Sequence, residues 1–455
     1  MQKVFVIGHK NPDTDAIVSV ISFTELLRKL NYKAYPYRLG DIQPETKIIL
    51  EKTRLRIPGL IEDVYPRACD VMTRNVLYIY EDEPLKVAID TIIEHSIRSL
   101  PIIDTKKRVV GIFTIESFAE KFIESIKLEK LELDGTPIKN FIKISGSKML
   151  SGKSTDIFKG YVIVGTVSSK RFRDHLSRIR GNVVVIGKQE KLLMESIQNN
   201  ASCIIVTEGE EPSREIIDEA RKRNIPLLVS PHDAYTTIEL LDLSKPIKMF
   251  SRPAVTLSED SLLSDVRDTI LRKRIRSIVI VDESGVLQGI ITRSDLVKDY
   301  RKKVALVDHN EFSQSVDGIE YAEIIAVVDH HRVSGDVKTL RPIIFRIEPL
   351  GSTNTIIWKL ARELNIEINK NIAEAMLYAI LSDTLLLRSP TTTEIDRKIA
   401  KEISEFTDVD LSDAIEFTRI AIAASEPGDP ERIVTMDLKI FESKIGSFGI
   451  CLLYT

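Results

Sequence analysis

Val4-Phe5-Val6-Ile7-Gly8-His9-Lys10-Asn11-Pro12-Asp13-Thr14-Asp15 opens as an apolar run and closes on a histidine and two aspartates. Two later stretches have the same form: Val304-Ala305-Leu306-Val307-Asp308-His309-Asn310 and Ile324-Ile325-Ala326-Val327-Val328-Asp329-His330-His331. Uninterrupted runs of about four or five β-favouring residues suit a parallel strand covered on both faces. In open α/β sheets, ligands bind beyond the carboxyl ends of such strands, so each Asp/His cluster falls where that fold places a site. A single His or Asp at a strand end is ordinarily a cap or turn residue. Three clusters on three similar strands point instead to one shared centre. A further carboxylate, Asp383, ends the helical pattern that begins at Ala373. There it opposes the helix dipole, so a countercharge such as a metal explains it better than capping does.

Carboxylates and imidazoles without thiolates suit a borderline-hard divalent ion, Mn²⁺ first, with Mg²⁺ or Co²⁺ as alternatives. His9, Asp13, Asp15, Asp308, His330 and Asp383 are ligands enough for two ions. Two ions about 3.5–4 Å apart, bridged by a carboxylate and a hydroxide, form the usual device for displacement at phosphorus.

The chain has 455 residues, length for roughly three domains. Its 64 Lys and Arg against 67 Asp and Glu leave a net charge of −3, which argues against a nucleic-acid-coating protein. Cys69, Cys203 and Cys451 are odd in number and far apart, so neither a disulfide framework nor a CxxC zinc pair is expected. The N-terminus lacks the apolar core of a signal peptide, and no run approaches the roughly 18 residues of a membrane span. These features predict a cytoplasmic protein with neither a membrane nor a nucleic-acid partner.

His9-x3-Asp13-x-Asp15, Asp308-His309-Asn310-Glu311 and Asp329-His330-His331 together resemble the DHH phosphoesterase superfamily, closest to the family II, manganese-dependent inorganic pyrophosphatases. Arg38-Leu39-Gly40, Glu348-Pro349-Leu350-Gly351-Ser352-Thr353, Ser382-Asp383-Thr384 and Ser389-Pro390-Thr391 extend the match. The resemblance implies an α/β fold with a parallel-sheet DHH domain, here split into residues 1–66 and 303–425. It implies His9 and Asp13 on one Mn²⁺ and Asp15, His330 and Asp383 on the other, with Asp308 bridging the two. His331 would be the acid that helps the leaving phosphate, with Asp329 orienting an imidazole. The implied reaction is hydrolysis of pyrophosphate to two phosphates by a metal-bridging hydroxide, in a homodimer.

Between the two parts lies an internal repeat at a spacing of 178 positions. Asp90-Thr91-Ile92 matches Asp268-Thr269-Ile270, Ile97-Arg98-Ser99 matches Ile275-Arg276-Ser277, and Gly111-Ile112-x-Thr114 matches Gly289-Ile290-x-Thr292. Each copy reads strand, helix, strand, turn, strand, helix. Residues 67–125 and 246–302 thus resemble a pair of CBS domains, a family that binds adenine nucleotides (AMP, ADP, ATP or diadenosine polyphosphates). Family likeness gives Thr292 to phosphate and Asp295 to ribose; the first copy keeps Thr114 but has Ser117 in place of the Asp. Arg276 reads either as a phosphate contact or as a solvated surface arginine. Residues 126–245 alternate apolar runs with helical stretches, a small α/β unit resembling a DRTGG domain. Gly146-Ser147-Lys148-Met149-Leu150-Ser151-Gly152-Lys153-Ser154 has five residues between its glycines where a P-loop requires four, and reads as a plain loop. Both ends of the insertion join the catalytic sheet, so nucleotide binding is expected to tune turnover.

Residues 426–455 resemble the linker and first strands of the C-terminal DHHA2 lobe, with Lys439 as a substrate-binding lysine. No counterpart of the family's Ser-Arg-Lys-Lys clamp follows, which predicts an intact metal site with an incomplete substrate clamp. Two alternatives remain from sequence alone. One is a catalytically weak nucleotide- and metal-binding protein; the other is a DHH exopolyphosphatase or small-oligonucleotide phosphodiesterase, whose Gly-Gly-Gly-His segment is missing here.

Overall fold

In the computed structural model, residues 3–126, 131–165, 179–424, 439–443 and 446–450 are described. The chain divides into two compact units, Met1–Pro66 with Asp299–Thr455, and Arg67–Lys298.

The first unit is built on a six-stranded, wholly parallel sheet. Its strands are β1 (Lys3–Ile7), β2 (Lys33–Arg38), β3 (Gly59–Leu60), β4 (Lys303–Val307), β5 (Glu323–Asp329) and β6 (Ile344–Ile347), in the order β6-β5-β4-β1-β2-β3. Alternation along β1 sends Val4 and Val6 into one core and Phe5 and Ile7 into another, so both faces are covered, as the unbroken apolar run requires. Helices α1 (Thr14–Lys29), α2 (Pro44–Lys52), α3 (Thr353–Glu363), α4 (Lys370–Asp383), α5 (Glu394–Thr407) and α6 (Leu411–Ala423) complete the unit. α4 is buried almost throughout and packs on α1 and α5, which fixes where its last residue, Asp383, emerges. After β1 the chain runs to β2 and β3 on one side, and β4 returns on the other. The gap between β1 and β4 is therefore a topological switch point, where sheets of this type open a crevice at their carboxyl ends.

The second unit holds two like-built three-stranded sheets and a five-stranded sheet. Ile79–Tyr80, Ser99–Ile103 and Val109–Thr114 form the first, joined parallel and then antiparallel. Thr256–Leu257, Ser277–Val281 and Leu287–Thr292 repeat that pattern. The lead-in of each copy crosses to the other, Thr73 bridging Ile290 and Arg252 bridging Ile112. One expectation fails here: the first copy ends in the helix Ile115–Ile126, but the second ends in a single 3₁₀ turn, Asp295–Val297. The chain leaves the unit after Lys298, so no length is left for a helix.

In the intervening region Val162–Val164, Val183–Ile186, Cys203–Val206 and Leu227–Val229 are parallel strands where the sequence shows apolar runs. The Gly146–Ser154 stretch departs from the expected loop. Gly146, left-handed at φ 68°, caps the helix Ile138–Ser145, and Lys148–Ser151 is an edge strand antiparallel to Leu227–Val229. Lys439–Ser443 pairs antiparallel with Gly446–Ile450. The expected linker, 425–430, and residues 436–438 lie outside the described residues.

Candidate metal centre

β1, β4 and β5 end side by side and deliver His9, Asp308 and His330 to the switch-point crevice. Asp13 and Asp15 arrive on the start of α1, where Asp13 also caps the helix by accepting from Ala16 N at 2.9 Å. An acid in a first turn is favoured by the positive end of the helix dipole. Asp383 comes from the far end of α4. Asp308 adopts φ 60°, a left-handed backbone uncommon for a residue with a Cβ, which aims its carboxylate into the crevice.

Asp308 is the hub. One oxygen, Oδ2, lies 3.4 Å from His9 Nε2; the other, Oδ1, lies 3.4 Å from His330 Nε2. His9 Nε2 is 3.6 Å from Asp13, and His330 Nε2 is 3.5 Å from Asp383. His9, Asp13 and Asp308 group with ligand atoms within 4.8 Å of one another, as do Asp15, His330 and Asp383. A third group, Asp308, His330 and His331, overlaps them. All six residues expected from sequence as ligands thus stand together. Asp383 Oδ2 is buried with no hydrogen-bond partner among the described residues, a costly state that a cation would relieve. The imidazoles fit as well: Nδ1 of His9 faces Lys10 O at 2.8 Å and Nδ1 of His330 faces Leu350 O at 3.0 Å. A carbonyl only accepts, so Nδ1 holds the proton and each Nε2 lone pair points toward the carboxylates.

Electrostatics show the same strain. Burial opposes a charged His9, yet Asp13 and Asp308 outweigh it and hold its pKa well above the usual histidine value. Asp13 is also opposed by burial but is drawn below the usual carboxylate range by His9. Asp15 is pushed up to about 7, by burial first and then by the charge of Asp308. Burial and then Asp15 raise Asp383 well above its ordinary value. Clustered carboxylates cannot all ionise unless a cation joins them, and oxygen with imidazole nitrogen is a donor set for Mn²⁺, Co²⁺ or Mg²⁺.

Sequence reasoning gave no role to Ser352, Thr353 and Asn354, yet these residues lock the cluster. Ser352 Oγ donates to Asp15 at 2.5 Å, Thr353 N to Asp15 at 2.8 Å, Asn354 Nδ2 to Asp15 at 2.8 Å, and Thr353 Oγ1 to Asp308 at 2.8 Å. Their sequence signals are the place of Ser352 and Thr353 in the Glu348–Thr353 stretch of the family resemblance and a Ser-Thr pair opening the helical pattern of α3. Gly351, just before them, admits no side chain, because a Cβ would lie 2.6 Å from Thr384 Cγ2 and 3.0 Å from Asp396 Oδ2.

His331 stands differently from the other histidines. Its side chain is 41% exposed, against 11% for His9 and 14% for His330. Nδ1 donates to Asp329 at 2.9 Å, and Asn310 Nδ2 donates to the same carboxylate at 2.6 Å. Burial opposes the charge on Asp329, but His331 keeps its pKa below the usual carboxylate range.

The residues expected to meet a nucleotide lie in the second unit. Thr292, Asp295 and Arg276 line a cavity of about 750 Å³. Asp295 there accepts from Thr292 N at 2.8 Å and from Lys298 Nζ at 2.6 Å. Thr114 lines a second cavity of about 370 Å³, which also includes Arg276. Lys439 opens the strand Lys439–Ser443.

Residues 3–380 match the DHH family, N-terminal domain. The chain belongs to the DHH family, and within it to the family II inorganic pyrophosphatases. It is 30% identical over 462 residues to the probable manganese-dependent inorganic pyrophosphatase of Thermotoga maritima, an alignment covering all of this chain and 83% of that protein. It is 32% identical over 410 residues to the cobalt-dependent inorganic pyrophosphatase of Clostridium perfringens, covering 89% of this chain and 74% of the relative. The CBS and DRTGG domains of the regulatory region of Clostridium perfringens pyrophosphatase, solved with the activator diadenosine tetraphosphate, match half of this chain and 99% of that one, at 22% identity and a TM-score of 0.44. No helix among the described residues is long and apolar enough to cross a membrane.

Proposed function

We propose that the protein hydrolyses inorganic pyrophosphate to two phosphates, with adenine nucleotides bound in the second unit setting the rate. The carrying observation is that the two carboxylate oxygens of Asp308 face the Nε2 atoms of two histidines, each within its own three-ligand group. His9 and Asp13 would hold one divalent ion and Asp15, His330 and Asp383 the other, with Asp308 shared. Bound there, such ions supply an activated water and offset charge on the phosphoryl oxygens.

The chain's own side chains do the rest. Ser352, Thr353 and Asn354 fix Asp15 and Asp308 before any ligand arrives, so little reorganisation is needed at the moment of reaction. Asp329 keeps the Nδ1 proton of His331 in place and offers a counter-charge when the ring carries a second proton at Nε2. From there that proton can pass to the departing phosphate. Lys439 is assigned to the substrate on the family resemblance alone.

The second unit is inserted between β3 and β4, the strand that leads into Asp308, which gives nucleotide binding a covalent route to the metal ligands. The three widely spaced cysteines of the sequence are in keeping with work in a reducing cytoplasm. The resemblance of the repeat to CBS domains supports a homodimer.

The test is phosphate release from pyrophosphate with Mn²⁺, comparing the full chain with His330→Ala and Asp383→Ala. Release that both substitutions abolish supports the reading. Release no greater than that of the variants would remove it.

A further inference from the structure

The two repeats of the second unit build two equivalent cavities and fill them differently. In the larger, of about 750 Å³, the segment starting at Thr73 faces Thr292 and Asp295. In the smaller, of about 370 Å³, the segment starting at Arg252 faces Thr114 and Glu116. The repeat spacing makes Glu116 the counterpart of Ser294, and Ser117 that of Asp295. The acid has therefore moved by one residue. In the second copy the Asp295 carboxylate turns inward and accepts from Thr292 N at 2.8 Å. In the first copy the Ser117 hydroxyl takes over that capping, accepting from Thr114 N at 3.0 Å. Glu116 keeps a hydrogen bond to the Thr114 side chain and also reaches across to Arg276 at 2.7 Å. One turn further along the same helix, Glu120 pairs with Arg252, another wall of the smaller cavity.

Arg276 lines both cavities. We propose that Glu116 is a built-in competitor for the phosphate of an adenine nucleotide: it occupies the smaller cavity as an internal anion and holds the arginine that the ligand of the larger cavity needs. The inference rests on the nucleotide reading given above and adds two consequences. The pair takes one nucleotide per chain rather than two, because the smaller cavity already holds the Glu116 carboxylate opposite its cations. Binding in the larger cavity also has to draw Arg276 away from Glu116. Both partners are about half exposed, at 50% and 45%, so the pair is weak enough to exchange. A phosphate offers a guanidinium a stronger, bidentate partner than a solvated carboxylate does.

The test is calorimetric titration of the full chain with AMP, beside E116Q and E120Q. Both substituted side chains are exposed, and unchanged melting temperatures establish that the variants are folded. The expected result is one AMP per chain in the wild type and in E120Q, a dissociation constant for the larger cavity about five- to tenfold lower in E116Q, and no change in E120Q, whose partner Arg252 does not line the larger cavity. Two AMP per wild-type chain would overturn the inference, as would unchanged affinity in E116Q or equal tightening in both variants, which would reduce the effect to net charge. Wild-type affinity with no E116Q effect removes the inference and leaves the nucleotide reading standing. No binding by any of the three proteins removes both.

Discussion

The candidate metal centre and the proposed nucleotide cavity of the inserted unit offer opposite answers to one problem, the holding of phosphate chemistry. At the centre the charges are carboxylates, buried and pinned: Asp15 accepts from Ser352, Thr353 and Asn354, and Asp308 from Thr353. In the inserted cavity the charges are exposed arginines in exchangeable ion pairs, as Arg276 with Glu116 shows. Buried, over-determined charge gives pre-organisation for chemistry. Solvated, loosely paired charge gives reversible binding, which is what regulation needs. The two regions should therefore respond very differently to substitution.

The largest effect is expected from Asp308→Asn, which removes one charge from both ligand groups at once. Pyrophosphate hydrolysis should fall by at least about a thousandfold in kcat/KM, roughly 4 kcal/mol of transition-state stabilisation. A loss below tenfold would break the contrast. Asp329→Asn leaves every proposed ligand in place but weakens the hold on His331. A ten- to hundredfold loss in kcat with little change in bound metal is expected, part of the roughly hundredfold or more that a positioned general acid contributes.

Metal removal sharpens the comparison from the side of stability. In stripped protein Asp15, at about 7, and the raised Asp383 keep protons that the unfolded chain would release from about pH 4 upward. The folded state then binds more protons than the unfolded one, so stability falls as pH rises. Burial pushes His309 down to about 4, which works the other way below about pH 6.5. The fall should thus be clearest above that pH. Added Mn²⁺ should raise the melting temperature, and more at pH 8 than at pH 6, because ligands must be deprotonated to bind. A thermal scan with and without EDTA at the two pH values checks this. The smallest effect belongs to the cavity: Arg276→Gln should weaken AMP binding about tenfold, measured by calorimetry, and leave the Mn²⁺ response untouched.

The sheet and the proposed ligands were legible because both obey short-range rules. Val4–Ile7, Val304–Val307 and Ile324–Val328 read as buried strands, and a strand end is where this fold places a site. Asp383 was legible because an acid at a helix C-terminus is locally unfavourable. What could not be read depends on contacts across the chain. Ser352, Thr353 and Asn354 meet Asp15 from more than three hundred residues away, and their local pattern is that of an ordinary helix start. The second repeat's missing helix was hidden because a repeat in sequence carries no notice of where the chain must leave. Lys148–Ser151 looked like loop because an edge strand of mixed polarity has no local signature apart from its partner, Leu227–Val229.

Equilibrium dialysis of the stripped full chain against Mn²⁺ tests the central claim most directly. Two ions per chain are expected in the wild type, and a loss of bound metal in Asp308→Asn. One ion or none in the wild type, or an unchanged count of two in the variant, would contradict a two-metal centre organised around Asp308.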